Sequence, residues 1–282
     1  MTEFLPLRDS IAKHVADGAC LALEGFTHLI PFAAGHELIR QRRNDLHLVR
    51  MTPDLVYDQL IGAGCARKLT FSWGGNPGVG SLHRLRDAVE NGWPGPLEID
   101  EHSHAAMAVG YRAGAARLPF GMLRGYIGTD LPAKNARIRH VTCPYTGERI
   151  ATVPAVNPDV TILHAQRADR HGNVAIDGIV GAAREAALAA AKLLVTVEQI
   201  VNEFPPAMNN IVLPAFTVTA VSQVPGGAWP SYAHGHYARD NDFYLRWDAI
   251  ARERERFTAW IERHVRATRD HREFLTSLRE AA

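Results

Sequence analysis

The stretch Cys20-Leu21-Ala22-Leu23-Glu24-Gly25-Phe26-Thr27-His28 sets the architecture. Residues 20–23 are a short apolar run without alternation, the signature of a strand covered on both faces. The run stops at the turn Gly25-Phe26-Thr27, and residues 33–43 then read as a helix. Upstream, Leu7, Ile11 and Val15 share one face of a helix over residues 7–16, and Gly18 suits its end. Downstream the unit repeats, with strands over 46–51 and 68–73 and helices over 54–61 and 81–91. A short strand at 97–99 and a helix at 103–116 follow. Repeated units of this length predict an α/β fold, an open and mainly parallel sheet flanked by helices. Such sheets take ligands at the carboxyl ends of their strands, where the glycine turns fall.

Residues 128–156, richer in Pro, Thr and polar side chains, read as an excursion with short strands. A strand over 160–164 resumes the pattern. It is followed by a polar turn at 169–173, a helix over 182–192 and a strand over 193–196. Residues 211–213 and 216–222 look β-like, and 243–280 predicts amphipathic, strongly charged helix. With no linker, repeat or low-complexity tract, residues 1–282 read as one domain with a C-terminal helical extension from about 241 to 282.

The 282 residues are 46% hydrophobic and 22% charged, which is ordinary for a globular protein, and the formal net charge is +1. No bulk field favours nucleic acid or an acidic membrane surface. Cys20, Cys65 and Cys143 are odd in number and widely separated, so neither a disulfide framework nor a zinc site is expected. His234 and His236 lack a third ligand and helical spacing, which argues against a metal there. The segment from Met1 to Asp17 carries charges throughout, and no apolar run approaches the roughly 20 residues of a membrane helix. A soluble cytoplasmic protein is expected.

Among polar constellations, the loop Gly74-Gly75-Asn76-Pro77-Gly78-Val79-Gly80-Ser81 follows a strand and opens a helix. Glycines there let the backbone approach an anionic ligand, although neither nucleotide-binding glycine fingerprint is present. Glu24 is an isolated carboxylate that reads first as structurally paired, and the turn after it offers N–H donors for an oxyanion. In Asp100-Glu101-His102-Ser103-His104 a capping role for Ser103 is the default. Ser103 with His104 makes a poor nucleophile–base pair, because adjacent residues on a helix do not face each other.

Several of these segments together resemble a known family. They are Leu23-Glu24-Gly25-Phe26-Thr27-His28-Leu29-Ile30-Pro31, Arg50-Met51-Thr52-Pro53-Asp54-Leu55 and Phe71-Ser72-Trp73 with the glycine loop that follows. Glu101-His102-Ser103-His104, His164-Ala165-Gln166, Val224-Pro225-Gly226-Gly227-Ala228 and Pro230-Ser231-Tyr232-Ala233-His234-Gly235 complete the series. In this order they are similar to α subunits of family I CoA-transferases, in the group that includes the 3-oxoadipate and glutaconate enzymes. Many family members read Gly-Gly-Phe where this chain has Glu24-Gly25-Phe26, a form closer to the 3-oxoadipate branch.

The resemblance implies an αβ or α2β2 assembly with a β subunit that carries the nucleophilic glutamate, leaving no catalytic nucleophile in this chain. CoA would move from succinyl-CoA to 3-oxoadipate through a glutamyl-CoA thioester, with no cofactor and no metal. Gly25, Phe26 and Thr27 would line the acyl site. Gly74, Gly75, Asn76, Gly78 and Ser81 would contact CoA or substrate, and Ser103 and His104 the distal carboxylate of a diacid. Arg50 is a further carboxylate partner by guanidinium geometry. Alternatives are a glutaconate or other dicarboxylate transferase, a ring-opening CoA-ester hydrolase using a carboxylate near Glu101, and a ligand-sensing regulator. The last lacks a helix-turn-helix segment and a basic patch.

Overall fold

The computed structural model describes residues 1–77, 79–204 and 211–280. Eight parallel strands form the main sheet. Their spatial order is Glu3–Phe4, Ala220–Gln223, Lys192–Val201, Val160–Asp169, Cys20–Glu24, Leu46–Val49, Ala66–Phe71 and Glu98–Glu101. Val174–Ala175 adds a short antiparallel strand beside Val160–Asp169. From Cys20–Glu24 the chain winds outward through Leu46–Val49, Ala66–Phe71 and Glu98–Glu101, then returns to the other side of Cys20–Glu24 with Val160–Asp169. The direction of winding therefore reverses between Cys20–Glu24 and Val160–Asp169, which pair with Glu24 opposite Leu163. Loops leaving neighbouring strands at such a reversal part to opposite faces and leave a crevice.

Alternation along Cys20–Glu24 shows how the sheet is covered. Leu21 and Leu23 enter a large core with Ile11, Leu38, Val56, Trp247, Phe257 and Phe274. Ala22 faces the other way, onto Met107, Tyr111 and Ala186 of the helices His104–Ala115 and Ala183–Ala189. A strand whose successive side chains both meet helices is apolar throughout, as the sequence shows. The C-terminal helices share the first core, where Trp247 and Trp260 meet edge to face at 5.0 Å.

The excursion at 128–156 supplies the strands Arg139–Thr142 and Arg149–Pro154 of a separate antiparallel sheet, ordered Phe120–Leu123, Arg149–Pro154, Arg139–Thr142, whose first strand precedes it. The strand Phe120–Leu123 was not expected from the sequence, and its Phe120 and Met122 are exposed. Two expectations need correction. The C-terminal helix is broken into Asn241–Arg252, Arg254–Trp260, a π-helical turn Ile261–Arg266 and His271–Arg279. Asp270 causes the last restart, because its carboxylate accepts the N–H of Glu273 at 2.9 Å and caps a new helix. Residues 216–222 are not one strand: Ala215–Thr217 is a 3₁₀ turn, and the strand is Ala220–Gln223.

Candidate functional site

At the winding reversal, Gly25-Phe26-Thr27-His28-Leu29 makes a turn that L-residues adopt reluctantly. Thr27 has φ of 62° and Leu29 of 53°, and a β-branched residue in the left-handed region is strained. The strain persists because other segments hold the turn. Leu29 donates its N–H to the Tyr232 carbonyl at 2.9 Å, and Ile30 donates to Ser231 Oγ at 3.2 Å. Ala33 donates to the Gly227 carbonyl at 2.9 Å. His28 stacks on Tyr232 with centroids 4.9 Å apart, while its Nε2 lies 2.6 Å from the Ile179 carbonyl. Segments 224–235, read from the sequence only as motifs, are thus the scaffold of the turn.

Arg50 props the turn from below. It is buried, pairs with Asp54 at 3.2 Å and donates Nη2 to the Gly25 carbonyl at 2.9 Å. Gly25 itself leaves no room for a side chain, as an added Cβ would lie 2.7 Å from the Leu29 carbonyl oxygen. Among the described residues nothing accepts a hydrogen bond from the N–H of Phe26 or of Thr27. Both residues are exposed, so these two donors remain for a ligand.

Phe26 and Thr27 open into a cavity of about 150 Å³ lined also by Ile30, Arg50, Thr52, Asp54, Trp73, Pro77, His104, Arg239 and Tyr244. On its other side Phe26 borders a second cavity of about 260 Å³ with Met51, Arg112 and Glu185. Phe26, Thr27, Arg50 and His104 of the expected set therefore meet in one place, with Gly25 directly behind them.

Of the remaining expected residues, those described do not line this cavity. Ser103 caps the helix His104–Ala115, its Oγ accepting the Ala106 N–H at 3.2 Å. The Asn76 amide, expected to donate to a ligand, is buried and donates to the Tyr244 carbonyl at 2.8 Å. It pins the glycine loop to the helix Asn241–Arg252. Gly75 sits under the Trp73 indole, and Gly74 and Ser81 do not line the cavity. Gly78 lies outside the described residues. Sequence reading missed Trp73, Pro77, Arg239 and Tyr244. Trp73 adjoins the glycine run and carried a positional hint, whereas Arg239 arrives from a loop remote in sequence and carried none.

Glu24 is buried and accepts Tyr111 Oη at 2.8 Å and the Met51 N–H at 3.2 Å. Burial raises its pKa above the usual carboxylate range, with Arg50 opposing. Glu101 is exposed at a strand end and does not line the cavity. Beside it Asp100 is held below the usual range. Burial would raise it, but hydrogen bonds from His102 and Asn135 and the charge of Arg137 outweigh that. His164, in the expected His-Ala-Gln segment, lies in another buried network. It meets Glu198 at 2.7 Å and Thr196 at 2.8 Å, and Glu198 accepts Tyr237 Oη at 2.7 Å and the Gly226 N–H at 2.8 Å. This network locks the segment carrying Gly227, the residue that holds Ala33.

Among the described residues no group of three metal-binding side chains comes together and no helix is long and apolar enough to cross a membrane. Residues 6–223 match the family model described as Coenzyme A transferase. The chain is 63% identical over 280 residues to a 3-oxoadipate CoA-transferase subunit from Pseudomonas knackmussii, covering 99% of each. It superposes on the structure of glutaconate coenzyme A-transferase from Acidaminococcus fermentans with a TM-score of 0.93 and 30% identity, covering 98% and 93% of the two chains. It also superposes on the decarboxylase AibA/AibB with a TM-score of 0.81 and 31% identity, covering 93% and 99%.

Proposed function

The chain belongs to the coenzyme A transferase family, and on that basis we propose that it is the α subunit of a two-subunit enzyme moving CoA from succinyl-CoA to 3-oxoadipate. The observation that carries this reading is the strained turn at the winding reversal, with the N–H groups of Phe26 and Thr27 unengaged above an apolar cavity. Acyl transfer develops negative charge on a carbonyl oxygen, and preorganised donors aimed at that oxygen lower the barrier. The strain holds the donors in place before substrate arrives.

The nucleophile comes from the partner subunit. The carboxylate lining the cavity, Asp54, is ion-paired with Arg50, and Glu24 is buried behind the turn against Tyr111. A partner glutamate attacks the thioester carbonyl of succinyl-CoA and expels CoA thiolate, leaving a mixed anhydride. The thiolate attacks the glutamyl carbonyl, forming the glutamyl thioester and releasing succinate. The acceptor carboxylate then attacks that thioester and expels CoA thiolate to give a second mixed anhydride, and the thiolate attacks its acyl carbonyl, forming the new CoA ester and releasing the glutamate. Each step exchanges one acyl–oxygen or acyl–sulfur bond for another, so the relay balances without a redox or metal cofactor.

The exposed Leu118, Phe120, Met122 and Ile127, on and around the strand Phe120–Leu123, supply apolar surface suited to the partner, and a cytoplasmic setting goes with this reading. Purification with the partner and incubation with succinyl-CoA tests the scheme. A hydroxylamine-sensitive CoA adduct should appear by mass spectrometry on the partner. An adduct on this chain instead would sink the assignment.

A further inference from the structure

We propose that Arg239 is the residue that selects a second carboxylate on the acceptor, an inference that rests on the transferase reading above. The charges facing the cavity are few. Arg50 is buried and engaged on both sides, with Asp54 at 3.2 Å and the Gly25 carbonyl at 2.9 Å. It is built into the turn and cannot swing toward a ligand without releasing Gly25. Asp54 answers Arg50, and the charge of Arg239 reaches it only as a weaker, unpaired influence. His104 stands exposed at the start of its helix. That leaves Arg239, which lines the same cavity and has no carboxylate partner among the described residues.

The setting of Arg239 is that of a built anion clamp. Its guanidinium carbon lies 4.0 Å from the centre of the Tyr244 ring, so the plane of the group is fixed by stacking. One N–H is anchored, Nη2 to the Pro77 carbonyl at 2.9 Å, and the Nε is buried with no partner among the described residues. A guanidinium oriented on one face and one corner presents its remaining edge to a planar bidentate acceptor, and carboxylate has that shape. Phe26, Ile30, Trp73 and Pro77 line the same cavity and offer apolar surface to a carbon chain. A diacid can thus place its reacting carboxyl at the Phe26 and Thr27 donors and its far carboxylate on Arg239. A monoacid would leave the guanidinium unanswered.

The test uses the complete two-subunit enzyme with R239A, R239Q and R239K, each assayed with 3-oxoadipate and with a 3-oxo monocarboxylic acid of equal chain length. The glutamine variant keeps a donor for Pro77, so it separates loop support from carboxylate binding. R239A and R239Q should lose about 100-fold in kcat/KM for the diacid, carried mainly by KM, since one charge-assisted pair is removed. Turnover of the monoacid should change by less than about threefold, and R239K should recover part of the diacid preference as a point charge. Equal losses for both acids, or no loss for either, would overturn the role of Arg239 while leaving the transferase reading intact. The same holds if R112A, on the far side of Phe26, abolishes diacid preference while R239A keeps it. A wild-type enzyme that transfers CoA to neither acid would overturn both.

Discussion

Replacing Gly25 by alanine puts the proposed oxyanion site to its sharpest test. The new Cβ would lie 2.7 Å from the Leu29 carbonyl oxygen and 2.9 Å from that of His28. These are backbone atoms, so no rotamer change relieves the overlap. Merely reaching 3.0 Å requires the turn to open by 0.3 Å at Leu29. Leu29 cannot move freely, because its N–H holds Tyr232 at 2.9 Å and Ile30 holds Ser231 at 3.2 Å. Opening therefore displaces the Phe26 and Thr27 donors and weakens one or both anchors. Misplacing one oxyanion donor is worth about 3–4 kcal/mol of barrier, so kcat for CoA exchange should fall roughly 10²–10³-fold. Stability should fall by only about 1–3 kcal/mol, the usual range for overpacking. Steady-state exchange by the two-subunit enzyme, with a denaturant melt of the same sample, separates the two effects. A G25A enzyme that stays folded and keeps kcat within about threefold of wild type would refute the donor role.

Other consequences follow from the same geometry. R50M removes the buried partner of Asp54 and the donor to Gly25, so stability should drop by about 3–5 kcal/mol in a denaturant melt; a loss below about 1 kcal/mol would show the pair to be dispensable. Y237F strips one hydrogen bond from Glu198 and leaves the Ala228 N–H without its acceptor at 3.0 Å, predicting a loss of about 1–3 kcal/mol by the same measurement. His47 has its pKa lowered to about 4, first by burial and then by the nearby Lys68 and Arg67. The unfolded chain takes up that proton near pH 6.5 and the folded chain only near 4, so His47 favours folding above 6.5 and progressively loses that contribution between 6.5 and 4. An H47Q variant should show a shallower decline of melting temperature across that window, and an unchanged slope would count against the assignment.

Features that depend on neighbours along the chain are readable in the amino-acid sequence. The apolar run at 20–23 announced a strand buried on both faces, and the glycine after it announced the turn that ends the strand. Ser103 and the Gly25 turn were legible because a cap and a strained turn are built within a few residues. The break at Asp270 was equally local but was masked by the amphipathic pattern on either side.

Which of the candidate polar groups share a cavity was settled by packing in three dimensions. Asn76 had the right chemistry, yet packing turned its amide toward the Tyr244 carbonyl. Arg239 had no local mark, and it reaches the cavity because the helix Asn241–Arg252 packs back on the glycine loop. Hydrophobic periodicity specifies which face of an element is buried, but which loop ends converge is set by how the sheet winds. Here the reversal between Cys20–Glu24 and Val160–Asp169 gathered residues from 26 to 244 around one turn.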